Sequence, residues 1–287
     1  MKVRALYRWQ GWTQLVVPFL LLAAVFGIWE LLARTVYAGQ AYVLPRPLAV
    51  FQQIGTDWDV LQPALWQTVK EFVIGFFVGT GCGFVLAVAM GQSRVLRRGL
   101  YPALIASQAV PIIAIAFALV IWLGFGLAPK VAVVALFIFF PVVVNVLDGL
   151  TNVDRDTISL ARAMGASRRR IFLHVSLPAT LAPLFSALKL AAAFAVTGAV
   201  IGEQIASTTG GLGVYLLEQN SRLETAGVFA AILLLSAIGI VGFLLVVVAE
   251  QLATPWRTRS TPRRLGFGQA RAARGRAVPA QVKGGTR

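Results

Sequence analysis

Charge is what this sequence has least of. Of its 287 residues only 13% are Asp, Glu, Lys or Arg, about half the share that a water-soluble domain carries. A folded chain this poor in charge cannot cover itself with groups that face water. There is one cysteine, Cys82, and one histidine, His174. A single thiol forms no intramolecular disulfide, and one Cys with one His does not make a His/Cys metal site, so no bound metal is expected. Acids number 11 against 26 bases, and no carboxylate pair is placed for hydrolytic chemistry. A Gly-x-Ser-x-Gly elbow is absent. So is a phosphate-binding Gly-x-x-x-x-Gly-Lys-[Ser/Thr] loop: from Gly124 to Lys130 the nearest approach has Pro129 at the second glycine and Val131 at the hydroxyl position. The chain by itself is expected to be no enzyme and to hold no cofactor. Any ATP it uses must be bound by another polypeptide.

What is there is apolar. Hydrophobic residues make up 58% and the mean hydropathy is +0.78. Runs of bilayer length, roughly 20 helical residues, occur at Leu15–Ala33, Phe72–Met90, Leu100–Leu123, Val131–Leu147, Leu184–Ala206 and Val228–Ala249. Inside a bilayer each run must satisfy its own backbone hydrogen bonds, so helices are expected. The fold class is all-α integral membrane, with about six transmembrane helices. The first run is longer than a secretory h-region and no small-residue cleavage site follows it, so it reads as an uncleaved span.

A net charge of +15 raises nucleic acid as a partner, but the bases sit between and after the apolar runs, which is topology control. Lys2, Arg4 and Arg8, then Arg94, Arg97 and Arg98, then Arg155, Arg162 and Arg168 to Arg170 fall on one side, with nine more in the tail. The opposite side holds few, among them Arg34, Arg46, Lys130 and Arg222. Both termini are therefore expected in the cytoplasm of a multi-pass inner or plasma membrane protein. Residues 1–14 read as a cytoplasmic arm, 15–253 as the membrane domain and 254–287 as a basic, disordered tail able to meet anionic lipid.

Several residues inside the spans stand out. Gly75, Gly79 and Gly83 form a flat stripe for close helix packing, within the chain or against another subunit. Pro111 and Pro141 remove helix hydrogen bonds near midspan. Gln108 and Asn145 lie beside them and read either as lining a translocation path or as helix-to-helix hydrogen bonders. Glu203, followed by Gln204 at the outer end of the fifth span, must face protein or water, and a structural or gating role is favoured over solute contact. Glu30 can reach the interface. Gln62, Pro63 and Trp66 are expected to open a short interfacial helix ahead of the second span.

The segment 154–178 is too polar to span. Ile158, Ala161 and Met164 give one apolar helical face. Gly165 suits a left-handed helix stop. Ser167 caps a second short helix carrying Ile171, Phe172 and Val175, and Pro178 is expected to end the loop. Arg168, Arg169 and Arg170 sit in that helix's first turn, against its dipole.

This loop resembles the Glu-Ala-Ala…Gly motif of permease subunits from bacterial ATP-binding-cassette importers, with Ala161, Gly165, Val175, Leu177 and Pro178 at the motif positions. Ser159 stands at the motif's Glu and Leu160 at its first Ala. Leu44-Pro45-Arg46-Pro47, Trp122 to Gly126, Phe139-Phe140-Pro141…Asn145…Asp148-Gly149 and Gly210-Gly211-Leu212-Gly213 are similar to the nitrate, sulfonate and taurine branch. Gln219-Asn220-Ser221 is similar to pyrimidine-precursor transporters. The resemblance implies a type I importer permease fold with cytoplasmic coupling helices. It implies docking of Ala161, Met164, Gly165, Ala166, Ile171, Phe172 and Pro178 on a separate ATPase subunit, a second permease copy, and an extracytoplasmic solute-binding protein. An ion-coupled secondary carrier is the alternative; such carriers use internal repeats and paired midplane ionisable groups, whereas Glu203 reads as alone.

Overall fold

The computed structural model describes residues 3–40, 42–208 and 210–255. The chain divides into a unit over residues 1–248 and a second over residues 249–287. In the first, helices follow one another as α1 (Val3–Thr35), α2 (Pro47–Thr56), α3 (Trp58–Gln92), α4 (Arg94–Ser107), α5 (Ile112–Leu123), α6 (Leu127–Thr151), α7 (Arg155–Ala163), α8 (Arg168–Ile171), α9 (Leu177–Ala206), α10 (Leu212–Ser221) and the start of α11 (Thr225–Ala253). The described part of the second unit is the last turn of α11, closed by Thr254, whose N–H donates to the Glu250 carbonyl at 2.9 Å. The basic tail expected to be disordered lies outside the described residues from 256 on.

Among the described residues, four helices are long and apolar enough to cross a membrane: α3, α6, the continuous stretch Arg168–Ala206 and α11. The pair α4 and α5 makes a fifth only as a broken span, because it bends by 101°. The expected continuous third span, Leu100–Leu123, is thus corrected. Pro111 disfavours helix at Val110 and has no N–H to offer. It becomes the N-cap residue of α5, with ψ at 125°.

Two other expectations change for local reasons, and Pro141 stays within its expected span. The second span begins at Trp58, fourteen residues before Phe72, and runs through Pro63 without a separate interfacial helix. Pro141 does not interrupt α6, which is one helix from Leu127 to Thr151. Pro178 does not end the loop after α7. The five residues Phe172–Ser176 widen into a π-helical turn, in which the Leu177 N–H reaches the Phe172 carbonyl, and helix then continues into α9. The wider register loosens the turn onto which the proline ring would otherwise press.

α6 is the central helix, packed between α3 and α9. Its Val134, Ile138, Val142 and Val146 are fully buried. Lipid is as apolar as these side chains, so contact between helices depends on close fit rather than on escape from water. Both neighbours supply small residues at helical spacing: Gly75, Gly79, Gly83 and Ala87 on α3, and Ala187, Ala191, Ala195, Gly198 and Gly202 on α9. At Gly79 a Cβ would stand 2.6 Å from the Ala135 carbonyl oxygen, and at Gly198 2.9 Å from the Val134 Cα. The glycine stripe therefore serves packing within this chain.

Candidate functional site

Two ends of the bundle carry the polar residues. The first is the elbow at α7. Asp154 caps the helix: its carboxylate accepts from the Asp156 N–H at 3.1 Å and from the Thr157 hydroxyl at 2.8 Å. The Thr157 hydroxyl, then the Asp156 N–H, hold the Asp154 carboxyl below its ordinary value. Two bonds end α7: Gly165 N–H to the Arg162 carbonyl at 2.9 Å and Ala166 N–H to the Ala161 carbonyl at 3.0 Å. Between them Gly165 takes φ +80°, the left-handed stop that a glycine accepts without strain. The chain reverses and Ser167 caps α8, accepting from the Arg170 N–H.

The elbow presents apolar tips in a polar setting. Met164 is 80% exposed and Leu160 63%. Arg168, Arg169, Arg170 and Pro178 are exposed, and Ala161, Ala166 and Phe172 are half-buried. Ile171 is the correction among the expected docking residues: it is buried within the chain and has little surface for a partner. Leu160, which departs from the motif's alanine, is the more exposed of two apolar residues, with Leu173, that the motif-based set leaves out.

The second is a buried polar cluster at the opposite end. Glu203 is not alone. Its carboxylate accepts from the Thr68 hydroxyl at 2.5 Å and from the Gly213 N–H at 2.5 Å. Thr68 also accepts from the Leu212 N–H at 3.0 Å, so two orphan donors of the first turn of α10 are met by side chains of α9 and α3. One turn beyond Thr68, Glu71 accepts from Lys130 Nζ at 2.8 Å and from the Gln67 amide at 2.8 Å. Glu71 and Lys130 are fully buried and Glu203 is 1% exposed. The Glu71 and Glu203 carboxyl groups lie close enough to interact. Lys130, an outer loop base by sequence, thus sits inside the bundle, paired with a Glu71 that no sequence motif marks. The signal that sequence does offer is bland: Glu71 borders an apolar run, and Lys130 sits within the Pro129–Val131 flank of another.

Tyr215 fastens α10 from its other side, donating its hydroxyl to Asp57 at 2.5 Å. Burial first, then the Asp57 carboxylate, push the Tyr215 phenol up. Glu30 pairs with Arg34 and Arg46 at the α1–α2 junction. The remaining path candidates separate. Gln108 and Pro111, at the α4–α5 break, and Gln204 are exposed. Pro141 and Asn145 are half-buried, and the Asn145 amide donates to the Pro141 carbonyl at 2.8 Å, a bond within α6 rather than between helices.

Residues 79–254, which hold the elbow and most of the apolar bundle, match the protein family described as binding-protein-dependent transport system inner membrane component. The chain belongs to this family. It is 35% identical over 247 residues to the formylaminopyrimidine transport permease protein ThiX of Halalkalibacterium halodurans, covering 86% of this chain and 98% of that one. It is 32% identical over 261 residues to the riboflavin transport system permease protein RibX of Chloroflexus aurantiacus, covering 89% and 94%. Among solved structures, the methionine ATP-binding-cassette transporter MetNI in its inward-facing conformations matches with TM-score 0.52 at 20% identity, over 66% of this chain and 95% of that one; this likeness concerns the fold. The chain is accordingly a multi-pass membrane permease, the transport subunit of an ATP-binding-cassette importer and not an enzyme. ATPase and binding-protein partners come with the family.

Proposed function

We propose that this permease works as a homodimer with both termini in the cytoplasm. In this reading it takes a small heteroaromatic solute from its binding protein and passes it between the two copies. The elbow carries the reading: Leu160 and Met164 stand out around Gly165, in a segment too polar for lipid and bent in the way that lets two short helices enter a cleft. An ATPase that grips the elbow differently in its open and closed states shifts the permease between conformations. The charge asymmetry of the loops supports the elbow's cytoplasmic side. Exposed Gln108 and Pro111, at the 101° bend, and Gln204 are the side chains we assign to the path and its gate. Pro141 and Asn145 back the path from α6, and Glu203 holds the helix ends in place. No cofactor or metal enters the cycle in this subunit.

Two observations support a heteroaromatic solute. The two relatives above are named for a pyrimidine and for riboflavin. An open cavity of about 500 Å³ lies beside the buried cluster, lined by Trp66, Gln67, Lys70, Tyr215 and Glu218 among others, within the size range of small-molecule sites. The test is purification of the tagged permease with its ATPase and binding protein. Native chain retains the ATPase and Gly165→Trp releases it, while the membrane yield stays near normal. In vesicles the intact assembly takes up formylaminopyrimidine with ATP inside. Retention of the ATPase by Gly165→Trp would overturn the docking role; uptake of taurine but not of the pyrimidine would overturn the solute class alone.

A further inference from the structure

The turn between α10 and α11 closes on a leucine where a glycine fits. The Leu223 N–H donates to the Asn220 carbonyl at 3.1 Å and the Glu224 N–H to the Gln219 carbonyl at 3.0 Å. This pair of bonds ends a helix around one left-handed residue. That residue is Leu223, with φ +59°, the only non-glycine of positive φ among the described residues. A bulky side chain is disfavoured there by clash of its Cβ with the backbone. The same bond pattern ends α7, and there the left-handed residue is Gly165. The chain thus uses the unstrained solution at one turn and forgoes it at the other.

No contact among the described residues rewards the leucine. Its side chain is 79% exposed, so it fills no core. Its neighbours Glu218, Asn220, Ser221, Arg222 and Glu224 are all exposed, and irregular backbone does not sit lipid-facing within hydrocarbon. A large apolar tip held in a polar, watery setting on strained backbone is a contact waiting for another surface. A second tip stands next to it. The Thr225 hydroxyl donates to the Tyr42 carbonyl at 2.5 Å, which ties the segment before α2 to this turn, and Tyr42 is 67% exposed. Two apolar tips from separate segments, rimmed by Glu218, Arg222 and Glu224, have the apolar centre and polar rim of a protein contact.

This step rests on the importer reading, which places this end of the bundle outside the cytoplasm and the ATPase at the far end. The soluble partner on the outer side is then the solute-binding protein. We propose that the α10–α11 turn, with Leu223 at its tip and Tyr42 beside it, is a seat for the solute-binding protein.

The experiment measures binding of the purified binding protein to the whole permease–ATPase complex in nanodiscs, by interferometry, alongside basal ATP hydrolysis and thermal unfolding. Leu223→Gly and Leu223→Asn both keep the left-handed turn and remove the apolar tip. Each is expected to leave unfolding unchanged or shifted upward and to keep basal ATPase. Each is expected to weaken binding by about tenfold, the loss of one buried leucine, and Tyr42→Ala is expected to weaken it too. Binding within twofold of native for both Leu223 variants would overturn the proposal. So would normal partner binding by both variants together with loss of the thermal stabilisation that anionic lipid gives the native complex, because the occupant would then be lipid. If the ATPase fails to co-purify with native permease, it is the importer reading that fails, and the two failures are distinct.

Discussion

Removing Lys130 is the perturbation that weighs most on this fold. Its ammonium is fully buried, and it is paired at 2.8 Å with a carboxylate that is also fully buried. Lys130→Met keeps the length of the side chain and deletes the charge. Glu71 then keeps one donor, the Gln67 amide, and has Glu203 for a neighbour. Breaking one side of a buried pair costs about 3–5 kcal/mol, because an uncompensated charge is left behind, whereas replacing both sides by apolar groups is often nearly neutral. Lys130→Met should therefore lose about that much, and Lys130→Met with Glu71→Leu should recover to within about 1 kcal/mol of native. Chemical unfolding of the subunit in bicelles, followed by tryptophan fluorescence, measures both. A single variant as stable as native, or a double variant no better than the single, would refute the reasoning: the pair would then not bind α3 to α6 in the way its geometry implies.

Other outcomes follow from particular contacts. Gly79→Val forces a side chain into the Ala135 carbonyl, from which even a bare Cβ would stand only 2.6 Å away, and should cost about 1–3 kcal/mol or more as overpacking, seen as a fall in folded yield by fluorescence-detected gel filtration. Tyr215→Phe removes the hydrogen bond to Asp57 while Gln53 remains at 2.9 Å from the same carboxylate oxygen; the loss should be about 0.5–1.5 kcal/mol, with faster hydrogen exchange in α10. The carboxyl of Asp154 is held below its ordinary value of 3.8. Its capping of α7 should therefore be complete above that value and lost as pH falls through the lower, folded-state value. Amide protection in α7, measured against the intrinsic exchange rate at each pH, should hold above that value and fall below it, and Asp154→Ala should show the lower protection at neutral pH.

Much of the fold is legible in the sequence because its signals are local. Gly165 after an apolar face, and Ser167 after Gly165, specify a stop and a start within three residues, and the elbow forms there. Long apolar runs specify helices, and small residues four apart on α3 specify a close neighbour, which proves to be α6. The misread parts are those set by tertiary context. Lys130 and Glu71 are 59 residues apart in sequence, and nothing near either announces the other. Ile171 belongs to the apolar face of α8, but which partner covers a face is decided by packing, and here it is the same chain. The three prolines act differently, each through its own turn. Pro111 breaks its span outright, Pro141 leaves α6 unbroken, and Pro178 is absorbed by a π-helical turn, because the cost of a missing N–H depends on whether the preceding turn can rearrange.

Side-specific labelling tests the central claim most directly, since everything turns on an ATPase-gripped elbow at one end of the bundle and a solute-receiving end at the other. In a Cys82→Ser background, Met164→Cys and Leu223→Cys are each treated with a membrane-impermeant maleimide. In intact spheroplasts, position 223 should label and position 164 should not; in opened membranes, position 164 should label when the ATPase is stripped and be shielded when it is restored. Labelling of position 164 from outside the intact cell would contradict the account.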